Sequence, residues 1–179
     1  VKAAREAPLT PLVILGGLGL VALLADRIAP YDPTLPVKDA EMFRPPFWME
    51  GGSVATLLGT DFQGRDILSR LIYGARVSLI VGIMGTLVAG GIGTAMGIVS
   101  GYVGGWVDQI IMRVTDAWLA LPAIVFAIFL AAMVGPSMWN IIVILGAVYW
   151  TRYARVIRGE VLTLREREFV KLAEIAGAS

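Results

Sequence analysis

The 179-residue chain contains no cysteine and no histidine, and only 16% of its residues are charged. The missing cysteines exclude disulfides, thiolate zinc sites and cysteine nucleophiles, and the missing histidines remove the commonest general base and metal ligand. The chain also has no G-x-x-x-x-G-K-[ST] phosphate-binding motif, and its net charge of +1 lacks the basic excess of nucleic-acid-binding proteins. We therefore predict no catalytic residue, metal site or cofactor in this chain, and no nucleic-acid partner.

Charge is absent over two long stretches of the sequence. No charged residue occurs between Arg76 and Asp108, or between Asp116 and Arg152. Hydrophobic residues make up 57% of the chain, and the mean hydropathy is +0.76. Uncharged apolar stretches of about 18 residues or more are typical of transmembrane helices. The composition excludes a soluble enzyme and predicts an all-α, polytopic transmembrane helix bundle.

The uncharged stretches predict four membrane spans, at residues 7–25, 77–100, 117–134 and 138–151. A secretory signal peptide is the alternative for the first span, but residues 22–25 lack the small-x-small cleavage pattern, which favours an uncleaved anchor. Because the fourth span is short for a crossing, we expect its helix to continue through Arg158.

The segment between the first two spans differs from the rest of the chain. It holds five of the nine prolines, which forbid a regular helix in its first part. Residues 61–76 have apolar side chains at helical spacing and predict a short amphipathic helix on the membrane surface. The predicted organisation is therefore an N-terminal tail and anchor (residues 1–29), an extracytoplasmic loop with this surface helix (residues 30–75), and a core of spans (residues 76–179).

The distribution of Lys and Arg predicts the orientation. With four spans both ends lie on one side, and that side carries nine of the 15 basic residues against six on the other. Cytoplasmic loops are enriched in Lys and Arg, so a cytoplasmic N-terminus and C-terminus are favoured.

Small residues recur at every fourth position and form one stripe along the second span. We call this set the small-residue stripe, and it comprises Gly85, Ala89, Gly93, Gly97, Gly101 and Gly105. Small residues allow helix backbones to approach closely in lipid. The stripe is explained either by generic helix packing or by a central position of this helix among several neighbours.

The second, third and fourth predicted spans have no ionisable residue at mid-depth. Ion-coupled carriers place such residues within the bilayer to bind the coupling ion. We therefore expect that any transport by this protein takes its energy from elsewhere or is passive.

The C-terminal region after the fourth span is charged and amphipathic. Arg152, Arg155 and Arg158 lie at spacing i, i+3, i+6 and predict an interfacial anchor on anionic lipid. The following helix, predicted over residues 164–177, either docks into the groove of a partner protein or lies on the membrane surface.

Several motifs in order along the chain carry a family resemblance. They read L-G-T-D at residues 58–61, Y-G-A-R-V-S-L at 73–79, G-Y-V-G-G-W-V-D at 101–108 and L-R-E-R-E-F-V at 164–170. Together they resemble the dipeptide/oligopeptide/nickel class of ABC importer permeases, and the resemblance covers essentially the whole chain.

The resemblance implies a six-span permease in the prokaryotic plasma (inner) membrane, with a cytoplasmic N-terminus and an ATPase-coupling segment between spans four and five. The family pattern there is E-A-A-x-x-x-G, and this chain has Lys171 and Leu172 in its first two positions. The predicted coupling segment contains Arg165, Glu166, Phe169, Lys171, Leu172, Ala173, Gly177 and Ala178. The chain is expected to end inside this segment, as part of a longer protein.

The predicted function is that of a membrane-spanning permease subunit of an ATP-driven importer for peptides or a similar small solute. The resemblance implies as partners a second homologous permease, two ATPase subunits and an extracytoplasmic solute-binding protein, besides membrane lipid. The subunit itself is expected to catalyse no bond-making reaction. A passive channel and a non-transporting assembly scaffold are the alternatives, and the transported solute is not identified by the sequence.

Overall fold

The computed structural model describes residues 9–38 and 41–176, where six helices are present. The helices are α1 (Leu9–Ile28), α2 (Ile67–Val103), α3 (Gly105–Leu119), α4 (Ala123–Val134), α5 (Met138–Arg165) and α6 (Glu168–Ile175). The all-α prediction is confirmed, because the described ranges contain two isolated β-bridges and no strand. Contacts divide the chain into unit 1 (residues 1–80) and unit 2 (residues 81–179), and each is described by itself.

Two helices, α1 and α2, are long and apolar enough to cross a membrane. The pair of α3 and α4 passes the same test together, but the two helices are bent by 87° at their junction, so up to three spans are present in the described residues. The predicted fourth span lies in α5. As expected, this helix continues past Arg158. The count of four spans stays a prediction.

The separate surface helix predicted over residues 61–76 is wrong. Residues 61–66 form turns, and the helix that begins at Ile67 runs without a break to Val103. Asp66 sets its start, because its carboxylate Oδ2 accepts hydrogen bonds from the Ser69 amide at 2.8 Å and the Ser69 hydroxyl at 2.7 Å. At 1.5 Å per residue the 37 residues of α2 span about 55 Å, so the helix extends well beyond a hydrocarbon layer of about 30 Å.

The third span predicted over residues 117–134 is not one helix. It is divided between α3, which ends at Leu119, and α4, which begins at Ala123. Pro122 explains the break, because its ring nitrogen carries no hydrogen and the residue before a proline disfavours helical geometry. The 12 residues of α4 span about 18 Å, which is too short for a crossing by itself.

In unit 1, α1 is held to the first turns of α2 by Arg76 and Tyr73. The Arg76 guanidinium forms an ion pair with Asp26 at 2.9 Å and donates to the Ala22 carbonyl at 2.9 Å. The Tyr73 hydroxyl, one turn earlier on α2, donates to the same Asp26 carboxylate at 2.9 Å. These contacts lie beside the buried Ala22 and Ala25, where the small side chains of α1 permit close approach.

The loop before α2 is organised by hydrogen bonds to Asp61. Its carboxylate accepts hydrogen bonds from the amides of Gln63 and Arg65 and pairs with the guanidinium groups of Arg65 and Arg70. Burial of this carboxylate raises its pKa, but the hydrogen bonds and the positive charge of Arg65 outweigh burial and hold the pKa of Asp61 well below its usual range. The loop is therefore fixed as an ordered element although it contains no helix of its own.

In unit 2, α5 is the helix on which α3 and α4 pack. Its buried residues are Ile142, Ile144, Gly146, Val148, Thr151 and Ala154, and their two-residue spacing places them on opposite sides of the helix. The Trp118 indole of α3 donates to the Ala147 carbonyl of α5 at 2.7 Å, and its ring makes an edge contact with Phe126 of α4. By contrast, α4 has no buried residue, as expected of a helix whose surroundings are lipid or further protein.

Candidate functional site

The small-residue stripe of α2 lies against α5. A Cβ atom added at Gly97 would lie 2.7 Å from the Ala154 carbonyl oxygen and 2.8 Å from the Ile157 Cβ. At Gly101 it would lie 2.8 Å from the Val161 Cβ. Real Cβ contacts do not reach such distances, so the backbones approach as closely as glycine allows.

The remaining stripe positions divide into two groups. Gly85 faces Leu145 of α5, Gly93 faces Trp150 and Tyr153, and Ala89 is 2% exposed. Gly105 does not belong to this packed surface, because α2 ends at Val103 and a Cβ at Gly105 would meet nothing within 4 Å. The break falls at Gly104, whose φ of 68° is left-handed and favours glycine.

A glycine of α5 completes the packing and was not singled out in the sequence. A Cβ at Gly146 would lie 2.5 Å from the Cγ1 of Val88, so the valine side chain of α2 occupies the space that Gly146 leaves open. The residue numbers of the contacting pairs increase together along both helices, from Gly85 with Leu145 to Gly101 with Val161. Helices α2 and α5 therefore run parallel. A lone glycine within an apolar stretch carries no periodic signal, which is why only the stripe on α2 could be found from sequence.

The interfacial anchor predicted for three arginines is wrong for Arg158. Its guanidinium forms a bidentate ion pair with Asp108 of α3, with Nε to Oδ1 and Nη2 to Oδ2 both at 2.5 Å. The hydroxyl of Ser100, a fully buried residue of α2, donates to the same carboxylate. The side chains of Arg158 and Asp108 are 30% and 17% exposed, and their ion pair joins α5 to α3. The hydrogen bond from Ser100 connects α2 to the same pair. Planar bidentate pairs of this kind are among the stronger polar contacts in proteins.

Arg155 also pairs with α3 rather than remaining free for lipid. Its guanidinium lies 2.6 Å from the Asp116 carboxylate, but the two side chains are 56% and 66% exposed. Exposed ion pairs contribute little to stability. Arg152, the third member of the set, lies over the Tyr149 ring at 5.0 Å from the ring centroid.

Arg165, at the end of α5, contacts the end of α2. Its Nη1 donates to the carbonyl oxygens of Gly101 and Tyr102, both at 3.1 Å. The last carbonyls of a helix lack partners within it and carry partial negative charge. Arg165 therefore satisfies these groups, and its contact ties the first residue of the predicted coupling segment to the end of α2.

The helix predicted over residues 164–177 is divided in two. Helix α5 ends at Arg165, Glu166 and Arg167 form a turn, and α6 begins at Glu168. Phe169 and Leu172 lie three residues apart on α6, and each is 65% exposed. Lys171 and Ala173 lie within α6, while Gly177 and Ala178 fall outside the described residues.

The contacts described above join α2, α3 and α5. Parallel packing joins α2 to α5, ion pairs join α3 to α5, and Arg165 joins the ends of α2 and α5 next to the exposed face of α6.

Comparison with known proteins gives consistent matches along the chain. Residues 93–179 match the family described as binding-protein-dependent transport system inner membrane component. The chain is 40% identical over 161 residues to the dipeptide transport system permease protein DppC of Haemophilus influenzae, covering 90% of this chain and 54% of that protein. It is 47% identical over 158 residues to DppC of Escherichia coli strain K12, covering 88% and 52%. It is 36% identical over 173 residues to the oligopeptide transport system permease protein OppC of Haemophilus influenzae, covering 97% and 54%. The chain spans about half the length of these curated relatives.

Proposed function

We propose that the chain forms part of a permease subunit of an ATP-driven importer for peptides or a similar small solute, because residues 93–179 match the family described as binding-protein-dependent transport system inner membrane component. The observation that carries this proposal is the match to dipeptide permeases at 40% identity over 161 residues. The apolar helices α1 and α2 support a multi-pass location in the inner membrane. The relatives are transport permease subunits rather than enzymes.

In this proposal the subunit forms half of the translocation pathway. A second homologous permease forms the other half, two ATPase subunits bind and hydrolyse ATP, and an extracytoplasmic solute-binding protein delivers the solute. The family description, which names a dependence on a binding protein, supports the last partner.

The coupling segment is proposed to dock onto the ATPase through α6. Two exposed apolar side chains on one helix face, Phe169 and Leu172, are the type of anchor that an amphipathic helix places in a partner's groove. The contact of Arg165 with the end of α2 offers a rigid route from α6 to the membrane helices. Both observations support the coupling role of residues 165–178.

The predicted organisation and orientation belong to the same proposal. Residues 1–29 form the tail and anchor, residues 30–75 lie outside the cytoplasm, and residues 76–179 belong to the permease core. The basic residues support a cytoplasmic N-terminus. One boundary of this organisation differs in the structure. The loop ends at Asp66, and α2 starts at Ile67.

Uptake by a strain lacking the full-length gene tests the function. We expect that deletion abolishes uptake of a radiolabelled dipeptide and that the full-length gene restores it. Restored uptake should disappear when the ATPase subunits carry an inactive ATP site. Uptake that persists without ATP hydrolysis would identify a passive channel, and uptake unchanged by the deletion would identify a scaffold or another solute class.

A further inference from the structure

The corner between α2 and α3 is built from two glycines. Helix α2 ends at Val103 and α3 begins at Gly105, so Gly104 alone separates them. Gly104 has a φ of 68° and Gly105 a φ of 53°, and both values lie in the left-handed region that favours glycine. Because glycine restricts φ and ψ less than other residues do, the backbone by itself holds the angle between these two helices weakly. The angle therefore depends on side-chain contacts around the corner.

One carboxylate connects the three helices that meet at this corner. Asp108 lies in the first turn of α3, and it accepts a hydrogen bond from the hydroxyl of Ser100, a fully buried residue near the end of α2. The Arg158 guanidinium of α5 pairs with both oxygens of the same carboxylate at 2.5 Å. Bidentate pairs fix the orientation of the two partners as well as their separation. Asp108 therefore positions the start of α3 relative to both α2 and α5.

A second arginine of α5 also contacts the corner. Arg165 lies about two helical turns after Arg158 and donates to the carbonyls of Gly101 and Tyr102 at the end of α2, both at 3.1 Å. Val161, between the two arginines, lies against Gly101, where an added Cβ would be 2.8 Å from the valine Cβ. These three residues of α5 have the spacing i, i+3, i+7 and share one face of the helix. We call Ser100, Asp108, Arg158 and Arg165 the corner clamp.

The corner clamp lies close to α6 along the chain. Helix α5 ends at Arg165, and a two-residue turn separates it from α6, which begins at Glu168. The Arg167 amide donates to the Leu164 carbonyl at 3.1 Å, and the Val170 amide donates to the Arg167 carbonyl at 3.0 Å. These hydrogen bonds close the turn. A displacement of α6 therefore acts first on the last turns of α5, which carry both arginines of the clamp.

We propose that the corner clamp makes α3 follow α5 when the ATPase moves α6, so that Asp108 and Ser100 are positioning residues for energy coupling. The inference rests on the proposed function, because it needs the ATPase at α6. With the clamp intact, a displacement of α5 turns α3 about Gly104 and Gly105. Without the clamp, the two glycines act as a hinge that absorbs the movement of α5 while α3 remains in place. ATP is then hydrolysed without transport.

Transport and ATP hydrolysis measured together test the proposal. The full-length importer complex is reconstituted in proteoliposomes with its solute-binding protein, and the ratio of dipeptide taken up to ATP hydrolysed is determined. Asp108→Asn keeps the size of the side chain and removes the charge that pairs with Arg158. We expect this variant to continue to hydrolyse ATP and to lower the ratio about fivefold or more, the lower end of the usual range for coupling between sites.

Asp116→Asn is the matched control on the same helix. The pair of Asp116 with Arg155 is exposed and lies about two turns further along α3, so the ratio should stay unchanged. A role of Asp108 in stability alone would lower uptake and ATP hydrolysis in proportion, through loss of intact complex, and would leave the ratio unchanged. Asp108→Glu retains a carboxylate for Arg158 and should recover most of the ratio.

Ser100→Ala tests the clamp with a smaller change. It removes the hydroxyl that joins α2 to Asp108 and keeps the ion pair, so it should lower the ratio by a smaller factor. An unchanged ratio in Asp108→Asn would overturn the proposal, as would an unchanged ratio in Ser100→Ala if Asp108→Asn does not assemble. Failure of the proposed function would instead appear in the unaltered complex, as a lack of ATP-dependent dipeptide uptake.

Discussion

Gly97 shows how little space separates two helices of unit 2. Its added Cβ would lie 2.7 Å from the Ala154 carbonyl oxygen, a backbone atom that cannot move without moving α5. Gly91 on the same helix has nothing within 4 Å of its Cβ. Two glycines six positions apart therefore have different roles, although both lie in the same apolar stretch.

We expect Gly97→Leu to separate α2 from α5 and to destabilise the subunit by about 1 to 3 kcal/mol, the usual cost of overpacking. The thermal stability of the purified full-length complex and its uptake of dipeptide should both fall. Gly91→Leu is the matched control and should leave both unchanged. Equal behaviour of the two variants would mean that the stripe does not hold these helices together.

The ion pair of Asp108 with Arg158 is a second residue-scale prediction. Each partner is largely removed from water, so loss of one leaves the other without its bidentate hydrogen bonds. We expect Arg158→Gln to cost about 1.5 to 3 kcal/mol of stability, the range for hydrogen bonds to charged groups. The measurement is thermal unfolding of the full-length complex.

A charge reversal and a control distinguish pairing from other effects of these residues. The double variant Asp108→Arg with Arg158→Asp should recover part of the stability that Arg158→Asp alone loses. Arg155→Gln should lower the stability by less than about 1 kcal/mol, because the ion pair of Arg155 with Asp116 is exposed. Additive losses in the double variant would contradict a direct interaction.

At the scale of the elements, α6 presents its apolar side chains outward. Phe169 and Leu172 make little contact with the rest of the described chain, and each is 65% exposed. Such side chains are costly to leave in water unless a partner covers them. The break at Glu166 and Arg167 sets α6 off from α5, so its exposed face is separate from the surface by which α5 packs in unit 2.

We expect Phe169→Asp with Leu172→Asp in the full-length protein to leave membrane insertion intact and to abolish association with the ATPase subunits. Copurification of the ATPase with the tagged permease gives the readout, with dipeptide uptake measured in parallel. Glu168→Gln on the same helix is the control, since it alters a polar residue and leaves the apolar pair intact. Normal association in the double variant would show that α6 lies on the membrane or elsewhere.

At the scale of the whole molecule, the orientation follows from the distribution of basic residues. Residues 30–38 and 41–66 lie between α1 and α2, and residues 61–65 are ordered by the contact of Asp61 with Arg65. Its basic residues are fewer than those of the C-terminal region, so under the positive-inside rule we expect this loop to lie outside the cytoplasm.

Reporter fusions measure this orientation directly. Alkaline phosphatase is active only outside the cytoplasm, so we expect activity when it is fused near Pro45 and none when it is fused after Arg158. A cytoplasmic reporter at the same two sites should give the reverse. Activity of alkaline phosphatase at Arg158 and silence at Pro45 would invert the proposed topology, together with the cytoplasmic position of α6.

The sequence by itself determined the features that depend on local composition. Uncharged stretches predicted helices where α1, α2 and α5 are found, and the four-residue period predicted the surface of α2 that Gly85, Gly93 and Gly97 present to α5. Proline density likewise predicted the irregular loop. Each of these signals arises within a few turns of the chain, where solvation and helix geometry act without reference to distant residues.

The tertiary structure decided what depends on distant partners. Arg155 and Arg158 have the pattern of a lipid anchor, but the pairing with Asp116 and Asp108 depends on where α3 packs, about 40 to 50 residues earlier in the chain. Gly146 is significant only because Val88 lies opposite it. The start of α2 at Ile67 and the break at Pro122 are, by contrast, local effects of the Asp66 cap and of a proline. A sequence pattern specifies which groups are charged, small or apolar. The tertiary packing determines their partners, because a guanidinium or an exposed backbone surface binds whichever complementary group the fold brings close to it.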